Sequence, residues 1–412
     1  MKRIYLDYSA SSPVDKQVLK EMTPYFTEKF GNAGSLHSFG QEAVRALDVS
    51  REACAKTIGA DFREVVFTSS ATEANNLALR GTVQGVKDPQ IIVSSIEHES
   101  VLETARDLEG NGVEVVYLPV DKNGLVDLKK LKTSINERTV LVSIMYGNNV
   151  MGAIQPIREI ANIVREFRKA NKLMKLPPKA DQPKAEKAKS SQVGYPLLHT
   201  DAVQSFQYLD CDVERLGIDL MSLSSHKIYG PKGVGLLYVR GNREANEAKS
   251  YKLKAIITGG KQEFGFRSGT PNVAGIVGFT KALEITKETR KEENRKTKEL
   301  KEYLWKKLKE KVLDVEINPD TAAKGKDSFL PSIINIHFPK RESQEIITLL
   351  DARGVAVSSG AACSVRSAGP SYVITALGLS KERLNGNIRI SLGRHTTKEE
   401  IDEAVRRITM VI

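Results

Sequence analysis

The sequence predicts an α/β protein in which helices cover both faces of a mostly parallel sheet and a smaller α/β domain follows toward the C-terminal end. Three observations carry this. Short β-rich runs alternate with helical stretches through the first 240 residues. These runs are apolar throughout rather than alternating, as expected of strands buried on both faces. After Thr270 and Pro271 the pattern changes to one long helical segment leading into a separate α/β group.

The elements follow in order. Glu64–Thr68 (EVVFT) reads as a strand followed by a helix from Glu73, Gln90–Ser94 is followed by one from Glu99, and Val113–Leu118 by one from Leu128. Thr139–Tyr146 precedes a helix from about Pro156, and Leu197–Thr200, Leu220–Leu223 and Val234–Arg240 supply further strands. Beyond Pro271, the helical stretch Ala274–Val312 leads to a strand at Ser332–Phe338 and a helix at Glu342–Ala352. Strands at Val355–Ser358 and Asn387–Leu392 and a last helix from Thr397 complete the smaller group. No internal repeat is evident.

At 412 residues and 45.5 kDa the chain is too long for one small module, and 40% apolar with 27% charged residues is ordinary globular composition. No uncharged apolar run approaches the roughly 18–20 residues that cross a bilayer, and the mean hydropathy is −0.31. Lys2 and Arg3 are followed by no apolar stretch and no small-residue cleavage site, so a cytoplasmic protein without a signal peptide and without a membrane partner is expected. Cys54, Cys211 and Cys363 are few, odd in number and free of CxxC spacing, which fits a reducing compartment and gives no support to a structural zinc or other metal site.

The net charge of +11 is concentrated in two runs. Residues 168–189 hold eight basic and two acidic side chains, and 287–311 hold eleven and six, leaving the remainder close to neutral. Direct nucleic-acid binding is therefore not expected, since it needs basic side chains spread over one continuous surface. The second run reads as a solvated helix face supported by the i,i+4 pairs Glu292/Lys296 and Glu302/Lys306. The stretch from about Lys169 to Gly194, rich in Lys, Pro and Ala, reads as a mobile surface loop with a solvated-linker role.

Ligands in such sheets sit beyond the strand ends, so chemistry is sought at each strand-to-loop junction. In DLMSLSSHKIYGPKGVG (219–235) an apolar strand runs into Ser224, Ser225, His226 and Lys227. A lysine there can form a Schiff base when desolvation and nearby positive charge favour its neutral amine. Spacing alone does not separate this from a surface loop with a chance lysine. Asp201 closes the strand before HTDAVQS and could hold a pyridinium nitrogen protonated; capping a helix is its rival role. The hydroxyl-rich turn Thr68–Asn75 (TSSATEAN) opens a helix whose free N–H groups suit a phosphate, while a simple helix capped by Thr72 is the plainer alternative.

Taken together and in order, the motifs LDYSASSPVD (6–15), FGNAGSLHSFG (30–40), FTSSATEANNLAL (67–79), IEHESVL (96–102), HTDAVQS (199–205) and SHKIYGPKGVG (225–235) resemble those of class V, fold-type I pyridoxal-phosphate enzymes. With FRSGTPN (266–272), SSGAACS (358–364) and IRISLGR (388–394), they are most similar to the NifS/IscS-type cysteine desulfurases along nearly the whole chain.

The resemblance implies a fold-type I PLP-dependent transferase with pyridoxal 5'-phosphate carried on Lys227, its ring nitrogen paired with Asp201 and its ring hydroxyl reached by Gln204. It implies that His98 stacks on the ring and moves protons, that Asn149 lies beside ring and substrate, and that Arg389 grips the substrate carboxylate. Ala71, Thr72, Ser224 and His226 would hold the phosphate, with Ser225 among the cofactor-binding residues and Thr270 reaching over from the second subunit of a homodimer. It implies a large domain at 15–284, with 1–14 and 285–412 forming a small domain that carries the catalytic cysteine loop.

Cys363, among small residues, would be the thiolate that takes sulfur from L-cysteine, leaving alanine and a persulfide to be passed to an acceptor such as an iron–sulfur scaffold or a tRNA-thiolation protein. Cys54 and Cys211 read as packing residues. Two departures from the family pattern stand out: Val150 replaces a glutamate after Asn148 and Asn149, and the Lys-rich insertion replaces a short link. The rival readings are another class V enzyme, a selenocysteine lyase or transaminase, and a scaffold of the same fold without chemistry.

Overall fold

The computed structural model describes residues 2–174, 194–241, 253–319, 328–360 and 370–412. Most of the Lys-rich segment (175–193) and the catalytic-cysteine candidate Cys363 lie outside the described residues.

The chain opens with β1 (Ile4–Tyr5) and three helices, α1 (Lys16–Met22), α2 (Pro24–Thr27) and α3 (Ser38–Ile58). Strand and helix then alternate as β2 (Val65–Thr68), α4 (Ala71–Val83), β3 (Gln90–Ser94), α5 (Glu99–Gly110), β4 (Glu114–Leu118) and α6 (Leu128–Ser134). The alternation continues with β5 (Thr139–Ser143), α7 (Ile157–Met174), β6 (Leu197–Asp201), α8 (Val213–Leu216), β7 (Leu220–Ser224) and β8 (Gly235–Val239). The C-terminal part comprises α9 (Val273–Lys311), β9 (Glu316–Asn318), β10 (Ile333–His337), α10 (Ser343–Ala352), β11 (Val355–Ala356), α11 (Tyr372–Ala376), β12 (Asn387–Ser391) and α12 (Lys398–Thr409).

Seven strands form one sheet in the order β2-β8-β7-β6-β5-β3-β4, and β8 alone runs antiparallel to its neighbours. Alternate side chains leave opposite faces of a strand. Ile92, Val142, Leu198 and Met221 pack into a core with α3 and α9, while Ile91, Val93, Leu141, Leu197 and Leu220 pack into another with α4 and α5. That is why these strands read as continuous apolar runs. A second, antiparallel sheet, β12-β10-β9, encloses its own core of Ile334, Ile336, Ile388 and Ile390 against Leu300, Leu304 and Leu308 of α9. Strand β1 pairs in parallel with β11, so the first residues of the chain are stitched to the C-terminal part. Helix α9 spans 39 residues and inserts Phe279 and Leu283 into the large core and Leu304 into the small one. No described helix is long and apolar enough to cross a membrane.

Four expectations are corrected. The β5 ladder ends at Ser143 rather than Tyr146; Ile144 and Tyr146 still donate backbone N–H bonds to His199 and Asp201, but the chain turns toward the cleft there. Helix α4 starts at Ala71 and is capped by Ser70, not Thr72: the Ser70 hydroxyl accepts from Glu73 N at 3.2 Å, and Thr72 is exposed. Residues 169–174, expected to open a mobile loop, are the last turns of α7. On α9, Lys296 donates to the Arg394 carbonyl at 2.8 Å instead of pairing with Glu292, which binds Arg295. The same helix is only partly a solvated face, because Glu293 is buried against Arg394 and Gln207. Cys54 and Cys211 are buried and free, and burial raises both thiols to about 12, in keeping with packing roles.

Candidate active site

Parallel strands β3, β5, β6 and β7 all end on one side of the sheet, and β2 runs in the same direction; the loops leaving them line a cavity of ≈ 230 Å³. Strand β7 delivers Ser224 and then a single 3-10 turn, Ser225–Lys227. Gly230 permits this turn, since a Cβ there would lie 2.0 Å from Ser225 Oγ. The Lys227 Nζ enters the cavity and donates to the carbonyls of Ser9 at 2.6 Å and Ala10 at 2.8 Å. Those carbonyls belong to the segment after β1, which crosses the cleft and is pinned to the turn where Ser12 N donates to the His226 carbonyl and Tyr229 N to Ser12 Oγ.

Asp201 is the last residue of β6. Its carboxylate accepts from Asn75 Nδ2 at 2.9 Å and Val203 N at 3.0 Å, so it holds a local turn and also reaches α4. His98 caps α5 after β3, accepting from Ser100 N at 3.1 Å. Burial lowers the His98 pKa, against the opposing pull of Asp201 and with a smaller push from Lys227. His226 is lowered to about 4 by burial and by the nearby Lys227 and Lys232. The first turn of α4 faces the cavity with Ala71 and Thr72, and Gly235 on β8 lets the backbone approach there, because a Cβ would meet the Ser70 carbonyl carbon at 2.6 Å.

The C-terminal part contributes Arg389 from β12, 1% exposed. Its guanidinium donates to Asn149 O at 2.9 Å and to Asp7 Oδ1 at 2.6 Å. Gln204 donates to the Ser9 carbonyl at 2.9 Å. The cavity therefore brings together Ala71, Thr72, His98, Asn149, Asp201, Gln204, Ser224, His226, Lys227 and Arg389, all singled out from sequence. Ser225 is not among its lining residues: it is fully buried behind the turn. Thr270 lines a separate pocket of ≈ 50 Å³ beside Ser69 and Arg267 within the same chain.

Sequence reasoning missed several residues of the site. Ser9 and Ala10 are more than 200 positions from the lysine they meet, and no local pattern signals such a contact. Asp7 and Asn75 hold Arg389 and Asp201 respectively, and both lay within quoted motifs without being assigned. Beneath His98, the buried Glu97 accepts from Met145 N at 2.8 Å and from Ser94 Oγ; burial raises its pKa to about 8. Val150 packs in an apolar cluster with Ile96, Phe329 and Val373. The turn around it is held by Asn148, whose Oδ1 accepts from Val150 N and Met151 N, so that turn does not depend on the side chain at 150.

The aminotransferase class-V family model matches residues 4–174 and 185–404. The chain belongs to the aminotransferase class-V family. It is 39% identical over its whole length to a protein of Dictyoglomus turgidum named cysteine desulfurase IscS, covering 95% of it. Among solved structures it resembles a NifS-like protein, with 34% identity, 99% of that chain covered and a TM-score of 0.85. It also resembles a protein named SspA, solved in complex with cysteine, at 34% identity with all of that chain covered and a TM-score of 0.77. These findings bear out the predicted α/β fold of NifS-like enzymes, and class-V membership implies a pyridoxal-phosphate-dependent enzyme. The donor set fits such a group. An amine, a carboxylate at a strand end and a helix N-terminus share one cavity, and Asn149 Oδ1 and Arg389 Nε are buried there without a hydrogen-bond partner among the described residues.

Proposed function

We propose that the protein is a homodimeric cysteine desulfurase that converts L-cysteine to L-alanine and passes persulfide sulfur from Cys363 to acceptor proteins in iron–sulfur cluster assembly or tRNA thiolation. The observation that carries this reading is the single cavity shared by Lys227, Asp201, His98 and Arg389. In this reading pyridoxal phosphate is held by Lys227 and Asp201, by Gln204 and Asn149 at the ring, and by Ala71, Thr72, Ser224 and His226 at the phosphate, with Thr270 supplied by the partner subunit; Ser225, buried behind the turn, does not reach it. Bound there, the cofactor supplies an electron sink for the amino acid's α-carbon.

Arg389 orients the substrate through its carboxylate, a planar fork that a lysine cannot reproduce. The low pKa of His98 keeps the ring neutral at pH 7, so it can accept a proton; Lys227 is the other proton carrier, and each such group contributes roughly 10²–10⁴-fold. Cys363, as a thiolate, attacks the substrate sulfur. An S–S bond forms, the C–S bond breaks, and the carbon that keeps the electron pair takes a proton to give alanine. The division proposed is a large domain at 15–284 and a small one formed by 1–14 and 285–412. It is supported by two separate apolar cores and by the pairing of β1 with β11. A dimer is supported by exposed apolar side chains between residues 14 and 49, among them Phe26, Phe30, Leu36 and Phe39. A cytoplasmic site of action belongs to the same proposal.

The test gives the cofactor-loaded protein L-cysteine and a thiol reductant and measures alanine and sulfide for wild type, Lys227→Ala and Cys363→Ala. Both products from wild type and neither from the variants support the proposal. Wild-type yields from either variant would overturn it, and a Cys363→Ala enzyme that turns over a different amino acid normally would assign another class-V activity.

A further inference from the structure

Between the outer half of α9 and the small sheet lies a cavity of ≈ 510 Å³, more than twice the volume of the active-site cleft and sharing no residue with it. Met151, Phe329, Ile333 and Trp305 give it apolar walls. Its polar groups are badly matched to one another. Lys301 is drawn inward and donates to the Leu330 carbonyl at 2.7 Å, and burial lowers its pKa to about 8. Asn335 is fully buried, and its Nδ2 has no hydrogen-bond partner among the described residues. The amide cannot simply flip, because its Oδ1 accepts from Asn318 Nδ2 at 3.2 Å, and Asn318 is itself oriented by Arg383, which donates to its Oδ1 at 2.5 Å. The cavity charge is positive, with Arg295, Lys298, Lys301 and Lys306 against Glu302. Arg295 is occupied by Glu292 and Glu299 of its own helix and Lys306 is exposed, whereas Lys301 reaches in to the Leu330 carbonyl.

A buried unpaired donor in a cationic cavity calls for an acceptor carrying negative charge, and the apolar walls call for a hydrocarbon body. An inorganic anion would leave those walls uncovered, and a neutral hydrocarbon would leave Asn335 Nδ2 without a partner. We propose that this cavity is a binding site for a small amphipathic carboxylate, with the carboxylate taken by Lys301 and Asn335 and the apolar body by Met151, Phe329 and Trp305. A hydroxyl on that body would satisfy Asn294 Oδ1, which is also buried and unpartnered among the described residues.

The chain has one tryptophan, Trp305, so its fluorescence reports on this cavity. Titrating the holoenzyme with octanoate should give a saturable change, and 1-octanol and inorganic phosphate should each bind at least about tenfold more weakly. Lys301→Met and Asn335→Leu should each weaken octanoate by about tenfold or more, while Lys301→Arg retains it and all three keep normal turnover of L-cysteine. No saturable change up to about 10 mM octanoate, equal binding of 1-octanol, or unaltered affinity in Lys301→Met would overturn the assignment. If Asn335→Leu does not fold, the comparison of Lys301→Met with Lys301→Arg decides the matter.

Discussion

Glu97 and His98 sit side by side in sequence, and burial acts on them in opposite senses. Glu97 is raised from 4.5 to about 8, so the folded chain holds it protonated at pH 7 whereas the unfolded chain ionises it. Its contribution to stability is complete below pH 4.5 and is lost as pH rises through about 8, at about 1.4 kcal/mol per pH unit. Glu97→Gln mimics the protonated form, and its Oε1 can still accept from Ser94 and Met145 N. Thermal melts from pH 5 to 8 should show wild type losing stability relative to this variant, and parallel curves would refute the protonation state. His98 is lowered by burial, so its neutral form persists below pH 6.5. If it is the proton acceptor, the acid limb of kcat/KM for L-cysteine should fall below that pH, and a limb above 6.5 would contradict the role. Arg389→Lys keeps the charge but loses the fork and one of its two anchors, Asp7 or Asn149. KM for L-cysteine should rise by on the order of tenfold with a smaller change in kcat.

Among the elements, α3 and the start of β2 are joined to the loop before α9 by a buried ion pair. Arg51 binds both oxygens of Glu263 at 2.7 and 2.8 Å, lies over the rings of Phe62, Phe67 and Phe264, and donates to the Val65 carbonyl. Glu263 also accepts from Phe67 N at 2.8 Å. Glu263→Ala strands a buried guanidinium and a buried N–H, and it should cost about 3–5 kcal/mol in urea unfolding. Helix α9 depends on packing rather than on its charged face, since Leu300, Leu304 and Leu308 form one wall of the small core. Leu304→Ala should cost about 2–5 kcal/mol, whereas Glu299→Ala, which removes an exposed partner of Arg295, should cost less than about 1 kcal/mol.

For the whole molecule, the site draws on distant parts of one chain. The segment after β1, the ends of five strands of the large sheet and β12 of the small sheet all meet at the cleft. The segment Val14–Val49 leaves Phe30 at 66% and Leu36 at 93% exposure, more apolar surface than a lone subunit has reason to display. Light scattering should report a dimer. Phe30→Glu together with Phe39→Glu should shift the protein toward monomer and lower desulfurase activity, as the proposed contribution of Thr270 to a neighbouring site requires. A fully active monomer would remove the case for a shared site.

The sequence by itself determined the sheet, because strands such as Ile91–Val93 and Leu220–Leu223 are buried on both faces and carry unbroken apolar runs. It also pointed to the strand ends that meet at the cleft, since Asp201 closes β6 and the turn bearing Lys227 leaves β7. Boundaries were less legible. Ser70 rather than Thr72 caps α4, because either hydroxyl suits the cap and only the backbone path selects one. Contacts across the chain left no local trace: Ser9 and Ala10 at Lys227, Asp7 at Arg389, and the Lys301 cavity arise where elements far apart in sequence pack together. Periodicity records which face of an element is buried, whereas the partner that covers that face is decided only when the whole chain packs.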